Sequence, residues 1–309
     1  MKCPVCQSKE FSIIRNKLRY NIKCNVLECK NCSHIFLDNK KDLDNFYKSK
    51  EYRKSYGPNL KKEASLNVFF ETYYPFQEFY IKEIDKIMNQ DMSVLDVGCS
   101  TGHFLHALKG KVKQRIGLEI SPEYANFARE RCDIKVYTES IEKAQIKEAP
   151  FDFITCIQVL EHIQNPLLFL KAIGKNLKPG GYLYIDVPNI NDVMLKYSKF
   201  KEYEDFYYHE PHISYFSIKS LKHLLKNAGF YGDVKTSQKY TIVNHLSWIL
   251  TKEPQNNYQD TIKQHKFFKP TDYIGKELNN FISQVDDNYK KLLIKHDIGD
   301  SLVFIGQKK

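Results

Sequence analysis

Val94-Leu95-Asp96-Val97-Gly98-Cys99-Ser100-Thr101-Gly102-His103-Phe104 is the stretch that decides the fold of this chain. An apolar run containing a single acid stops at a turn of small residues. Small side chains at 98, 100 and 102 let the backbone come close to a ligand at the carboxyl end of a strand. A second apolar run, Arg115–Ile120, ends in Gly117-Leu118-Glu119, placing an acid 23 residues beyond Asp96. An acid offset by about 20 residues can accept hydrogen bonds from ribose hydroxyls. The turn reads Asp-x-Gly-x-Ser-x-Gly and lacks the dinucleotide fingerprint GxGxxG. An acid within it would repel a pyrophosphate and suits a cationic ligand.

Outward from this turn, strands and helices alternate. Strands are expected at Ile134–Tyr137, Phe151–Gln158, Tyr182–Val187, Tyr231–Thr236 and Ser301–Gly306. Helices are expected at Pro122–Arg131 with Ser121 as N-cap, at Pro166–Leu177 stopped by Lys178-Pro179-Gly180-Gly181, and at Ile218–Ala228 closed by Gly229. Upstream, Asp42–Tyr52 reads as a helix, Gly57-Pro58 as a break, and Leu60–Met88 as a helix interrupted near Pro75. This alternation predicts an α/β, Rossmann-like fold: a seven-stranded, mostly parallel sheet with helices on both faces. Residues 76–309 form that domain, and 240–296 read as a polar helical insertion near the substrate side. Residues 38–75 read as a helical linker or lid.

The first 37 residues have a different character. Cys3-Pro4-Val5-Cys6 and Cys29-Lys30-Asn31-Cys32 are two CxxC turns with 22 residues between them. Two such knuckles give tetrahedral zinc its four soft ligands, and four thiolates leave no open coordination position. Cys3, Cys6, Cys29 and Cys32 therefore predict a structural zinc ribbon, with Cys24 and His34 as nearby substitute ligands. Short strands are expected around Phe11–Arg15 and Tyr20–Val26. A formal net charge of +10 calls for an anionic partner, but residues 1–75 carry 15 Lys/Arg against 8 Asp/Glu, while 76–239 carry 22 against 21. The surplus belongs to the first quarter of the chain. The hydrophobic share of 42% argues against whole-chain disorder. No uncharged apolar run of spanning length occurs, and the start Met1-Lys2-Cys3-Pro4 lacks an export-type apolar stretch, so a cytoplasmic protein with no membrane span is expected.

Four motifs in this order resemble the class I S-adenosylmethionine-dependent methyltransferases, over roughly residues 75–309. Val94–Gly102 resembles the first motif, with Ser100 in place of the usual middle glycine. The resemblance implies that Asp96, Gly98, Cys99, Ser100 and Gly102 wrap the methionine end of S-adenosylmethionine. It also implies that Glu119 binds the ribose, Ile120 flanks the adenine, and Ser140 and Ile141 of Thr138–Glu142 meet the adenine edge. Phe151–Ile163 resembles the fourth motif, whose strand end, here Gln158, lies beside the transferring methyl. Leu177–Gly181 leads into the fifth strand as in the family. Leu160-Glu161-His162 opens a connection after a buried strand, where its plain use is to cap and stabilise the turn.

The acceptor is sought in Phe206-Tyr207-Tyr208-His209-Glu210-Pro211-His212-Ile213-Ser214-Tyr215-Phe216-Ser217. A hydroxyl acceptor needs a base, and the candidates are His209 or His212, with Glu210 orienting the base or binding the acceptor. The run looks like the Tyr-His-Glu-His segment of zinc-containing sugar C-methyltransferases, except that Pro211 separates Glu210 from His212. The zinc ribbon with this core resembles bacterial enzymes of that sugar type. The expected substrate is a small, sugar-like or anionic molecule, most simply a hydroxyl of a sugar or nucleotide-linked sugar in polysaccharide synthesis. Tyr47, Tyr52, Tyr56, Phe267 and Phe268 are candidate stacking residues, though interdomain core is their default use. Arg53, Lys61 and Lys62 are candidate phosphate contacts, though a solvated charged face is the default use of each. The second reading is an rRNA or tRNA methyltransferase that grips RNA with the ribbon. The near-neutral core weighs against nucleic acid.

Overall fold

The computed structural model describes residues 1–38, 65–198, 200–255 and 257–308. The helix read at Asp42–Tyr52, the break at Gly57-Pro58, and Tyr47, Arg53, Tyr56, Lys61 and Lys62 lie outside the described residues.

The chain begins with β1 (Phe11–Lys17), β2 (Lys23–Cys29) and β3 (Ile35–Leu37). Next come α1 (Leu66–Tyr73), a single 3-10 turn at Pro75, and α2 (Gln77–Ile84). The alternating region runs β4 (Ser93–Val97), α3 (His103–Ala107), β5 (Gln114–Leu118), α4 (Pro122–Cys132), β6 (Lys135–Tyr137), β7 (Phe151–Ile157), α5 (Pro166–Lys175) and β8 (Leu177–Pro188). Two short helices, α6 (Val193–Lys196) and α7 (Lys201–Tyr207), lead to the two-residue strand β9 (Ser214–Tyr215). The remainder is α8 (Ile218–Asn227), β10 (Phe230–Ser237), α9 (Ile242–Thr251), α10 (Tyr258–Ile262), α11 (Tyr273–Lys295) and β11 (Ser301–Lys308). Among the described residues no helix is long and apolar enough to cross a membrane.

Seven strands form one sheet in the order β10-β11-β8-β7-β4-β5-β6. The pairs β4–β5, β4–β7, β5–β6 and β7–β8 are parallel, and β11 lies antiparallel between β8 and β10. Alternation along the strands makes two apolar faces. Leu95, Ile154, Ile185 and Phe304 pack with Leu170 and Ile173 of α5 and Leu221 and Leu224 of α8. Their neighbours Val94, Phe153, Tyr184 and Val303 pack on the other side with Phe70, Ile84, Leu105 and Ala128 from α1, α2, α3 and α4. The mostly parallel sheet covered on both faces is the architecture expected from the alternation.

Three local readings need correcting. Ser121 occupies the N-cap position of α4, but its side chain makes no capping bond; its backbone N–H is donated to Glu119 instead. The helix expected to reach Leu177 ends at Lys175, and Lys178–Gly181 lies inside β8, where the pairing with β7 is irregular between Phe151 and Phe153. The N-terminal sheet is not made from its own residues alone. Its order is β1-β2-β3-β9, with Ile35 opposite Tyr215 and Phe36 opposite Ser214. Cys3, Val5, Leu27, Phe36 and Phe216 bury into the same core as α5 and α8.

Asp96 sits inside the main sheet, 3% exposed, and accepts a hydrogen bond from Thr155 Oγ1 at 2.6 Å. Burial pushes its carboxyl up to about 7. The unfolded chain loses this proton near pH 4 and the folded chain not until near pH 7, so stability falls as pH rises through that window. In cofactor-free protein, Asp96→Asn is expected to remove this fall. Calorimetric Tm values from pH 5 to 8 should show a gain over wild type that grows with pH and corresponds to about 4 kcal/mol at most. Curves that stay parallel would contradict the assignment.

Candidate active site

The floor of the site is the turn after β4. Gly98 adopts φ +80°, and a Cβ there would come within 2.4 Å of Val159 Cγ2. The N–H groups of Gly98 and Cys99 are both donated to Leu118 O, at 2.7 and 3.1 Å, tying the turn to the end of β5. Glu119, just past that end, accepts from Ser100 N at 3.0 Å and from Ser121 N at 2.8 Å. Two backbone donors thus fix the carboxylate, which still faces a cavity of about 520 Å³, a volume in the range of small-molecule sites.

Of the cofactor residues expected from the sequence, Gly98, Ser100, Glu119, Ile120 and Gln158 line this cavity. Asp96, Cys99, Gly102, Ser140 and Ile141 do not. Asp96 bonds within the sheet. Cys99 lies beneath the turn, so close that a Cβ on Gly117 would meet its Sγ at 2.6 Å. Gly102 starts α3, where a Cβ would press on Cys132 and Ala128. Ile141 is core, and the carbonyl of Ser140 accepts from Lys143 N and Ala144 N in a turn. Gln158 donates its side-chain amide to the buried Asp186, which also pairs with Lys239 Nζ at 2.6 Å.

Aromatic rings make up much of the remaining lining. Tyr73 comes from α1, Phe76 from the 3-10 turn after it and Tyr80 from α2, Tyr203 and Phe206 from α7, and Tyr240, Trp248 and Tyr258 from the segment after β10. Trp248 meets Tyr203 and Phe206 at ring-centroid distances of 5.0 and 5.1 Å, and Phe76 stacks on Tyr258 at 4.9 Å. Arg19, from the 3-10 turn between β1 and β2, reaches the same cavity with its guanidinium 3.6 Å from the centroid of Phe206. Phe267 and Phe268 do not line the cavity and are 54% and 40% exposed.

At the carboxyl end of β7, four titratable side chains meet. Glu161 and His162 follow the strand in one 3-10 turn, and His209 and His212 come from the loop before β9. Glu161 Oε1 lies 3.9 Å from Nε2 of both His162 and His212. The rings of His209 and His212 are 3.9 Å apart, and those of His162 and His212 4.9 Å. Nδ1 of His162 lies 2.8 Å from Pro211 O. A carbonyl only accepts, so Nδ1 carries the proton and Nε2 presents a lone pair. Burial lowers the pKa of His162 to about 4 and those of His209 and His212 well below the ordinary value, and raises that of Glu161 to about 8. The imidazoles are neutral at pH 7. Glu210 does not line the cavity. Glu161 and His162, which the sequence set within the fourth motif with turn-stabilising as their plain use, line it. The available signal was an acid–histidine pair directly after a buried strand, at the same sheet edge as Gly98.

A methyltransferase-domain family model matches residues 72–233, just over half of the chain. The chain belongs to this methyltransferase family. It is an enzyme whose methyl donor is S-adenosylmethionine, and the fixed Glu119 and the close-packed Gly98 turn fit such a cofactor. The ubiquinone biosynthesis O-methyltransferase of Hydrogenovibrio crunogenus is 29% identical over 123 residues, covering 38% of this chain and 50% of that protein. That of Idiomarina loihiensis is 34% identical over 104 residues, covering 32% and 43%. The chain spans about half the length of the curated relatives it matches. Among solved structures, the cyclase SpnF superposes with a TM-score of 0.50 over 86% of this chain and 95% of its own, at 15% identity, a likeness of fold.

A second constellation of the methyltransferase lies in the N-terminal sheet. The sulfurs of Cys3, Cys6, Cys29 and Cys32 all fall within 4.8 Å of one another, with Cys3–Cys32 at 3.6 Å and Cys6–Cys29 at 3.5 Å. Sulfurs about 2.3 Å from a tetrahedral zinc stand about 3.8 Å apart, so the donor set fits that ion. Cys24 and His34 are outside the cluster. His34 is fully buried against Phe216, with Nε2 3.3 Å from Ser214 Oγ. The N-terminal sheet therefore leans directly on the loop that carries His209 and His212.

Tyr215 anchors this loop. Its hydroxyl accepts from His209 N at 3.0 Å and donates to His209 O at 3.2 Å. Tyr215→Phe is expected to cost about 1 kcal/mol and to speed amide hydrogen exchange at His209 while the sheet stays protected. Unchanged exchange at His209 would contradict this anchoring.

Proposed function

We propose that this methyltransferase methylates a hydroxyl oxygen of a small molecule bearing a flat ring, with a histidine of the Glu161–His162–His209–His212 cluster as the base. The observation that carries this reading is the convergence of His162, His209 and His212 at the end of β7, in a cavity otherwise lined largely by aromatic rings. The O-methyltransferase names of the relatives agree with a hydroxyl acceptor. They lend nothing to the sugar expected from the sequence, and a lining of aromatic rings suits a flat, largely apolar body. Among the described residues, Arg15 pairs with Glu204 and Asp205, and Lys17 with Asp205, so these two cations of the N-terminal sheet are engaged within the chain and lend nothing to the nucleic-acid reading.

The cofactor supplies an electrophilic methyl group on a sulfonium. The residues of this chain do the rest. Glu119 and the Gly98 turn hold the cofactor, and the aromatic residues exclude water and orient the acceptor for in-line attack. His209 or His212, neutral at working pH, takes the hydroxyl proton as the oxygen–carbon bond forms. Glu210, outside the cavity, has no part in this scheme. We also read Cys3, Cys6, Cys29 and Cys32 as a structural zinc site that holds the N-terminal sheet in shape.

Turnover is tested by S-adenosylhomocysteine release with three acceptors: a 1,2-dihydroxybenzene, a nucleotide-linked hexose and a short RNA hairpin. Release is expected with the dihydroxybenzene and lowered about 10²- to 10⁴-fold by His209→Ala or His212→Ala, with cofactor affinity retained. Turnover confined to RNA, or full activity in both variants, would overturn the reading. For the cysteine site, the double variant Cys6→Ser/Cys29→Ser is expected to purify without the zinc that wild type carries and to melt at lower temperature. Equal zinc content and Tm would remove that assignment.

A further inference from the structure

We propose that Glu161, His162 and His212 form a second metal site, for a divalent transition-metal ion at the inner end of the cavity, with coordination positions left for an acceptor oxygen. Glu161 is 1% exposed, and among the described residues neither of its carboxylate oxygens has a hydrogen-bond partner. A buried carboxylate left in this way is costly unless a cation completes it. The cation-binding partners are already assembled. One ligand atom from each of Glu161, His162 and His212 lies within 4.8 Å of the others.

The spacing and the lone pairs both suit an ion. Ligands about 2.1 Å from a common ion stand about 3 Å apart at a right angle and about 4.2 Å when opposite. The two 3.9 Å separations from Glu161 Oε1 fall inside that range. The hydrogen bond from His162 Nδ1 to Pro211 O leaves Nε2 as the ligand atom, the arrangement in which a backbone carbonyl fixes the tautomer of a metal-bound imidazole. Two imidazoles and one carboxylate select zinc, manganese or iron(II) over magnesium and calcium, which take oxygen ligands. Three protein ligands leave the site open, unlike the four cysteines.

The chemical consequence rests on the hydroxyl-acceptor reading; the binding of the ion does not. An acceptor oxygen on the ion loses its proton more readily. That proton passes to His209, the imidazole outside the ligand set. The oxygen lone pair forms the bond to the methyl carbon as the carbon–sulfur bond breaks, giving a methyl ether and a neutral thioether. The ion keeps its oxidation state throughout.

The test is equilibrium dialysis of the full chain, stripped of metal and then exposed separately to zinc and to manganese, with no acceptor present. Manganese discriminates because thiolate sites disfavour it. Wild type is expected to bind two zinc ions per chain and one manganese ion. The double variant Glu161→Gln/His212→Ala should keep one zinc and weaken manganese at least tenfold, while still binding S-adenosylmethionine as a check of folding. Wild type that binds one zinc and no manganese, or a variant that binds both as wild type does, would overturn the metal site. Either result would leave methyl transfer to a hydroxyl standing, because that reading is tested by turnover.

Discussion

Parallel pairing of β4 with β5 on one side and β7 on the other is the constraint on which the site depends. The register sets Val97 opposite Leu118 and Asp96 opposite Thr155. Three strands that end together deliver their following residues to one edge. The Gly98 turn, Glu119 and the Gln158–His162 segment meet there although they are separated in sequence by 20 residues or more. None of these groups could be moved by one residue without reversing the strand face on which it depends. The turn then needs the left-handed backbone of Gly98, because Val159 packs where a side chain would stand.

The N-terminal sheet is joined to this edge by the pairing of β3 with β9. His212 lies two residues before β9, so the strand that completes the small sheet also ends the loop that carries His209 and His212. Three of the basic residues in the first quarter of the chain have a place in this joint. Arg15 and Lys17 are matched by Glu204 and Asp205 on α7, and Arg19 lies over Phe206 of the same helix. These charges attach the sheet to the domain and shape the cavity wall, a use that total charge could not distinguish from a grip on an external anion.

Much of this was legible in the sequence because it follows from local pattern. Buried strands announce themselves as apolar runs, and the turn after Val97 by its small residues. The cysteine pairs show their convergence by spacing. What escaped depends on contacts between distant segments. β9 is two residues long and exists only because β3, nearly 180 residues earlier, pairs with it. Glu210 drew attention as the acid between two histidines, yet it does not line the cavity, and the acid that meets His212 is Glu161 from another strand end. Ser140 and Ile141 were placed by analogy with a strand end, where here the chain turns tightly and sends Ile141 into the core. In each case the direction of one side chain was decided by packing that no window of sequence contains.

We propose that the edge formed by β4, β5 and β7 is the cofactor site, with Glu119 as its fixed anchor. Calorimetric titration of S-adenosylmethionine into wild type and Glu119→Ala tests it most directly. One site per chain is predicted for wild type, weakened at least tenfold in the variant, the scale of a lost pair of hydrogen bonds to a charged group. Equal affinity in the two proteins would contradict the account.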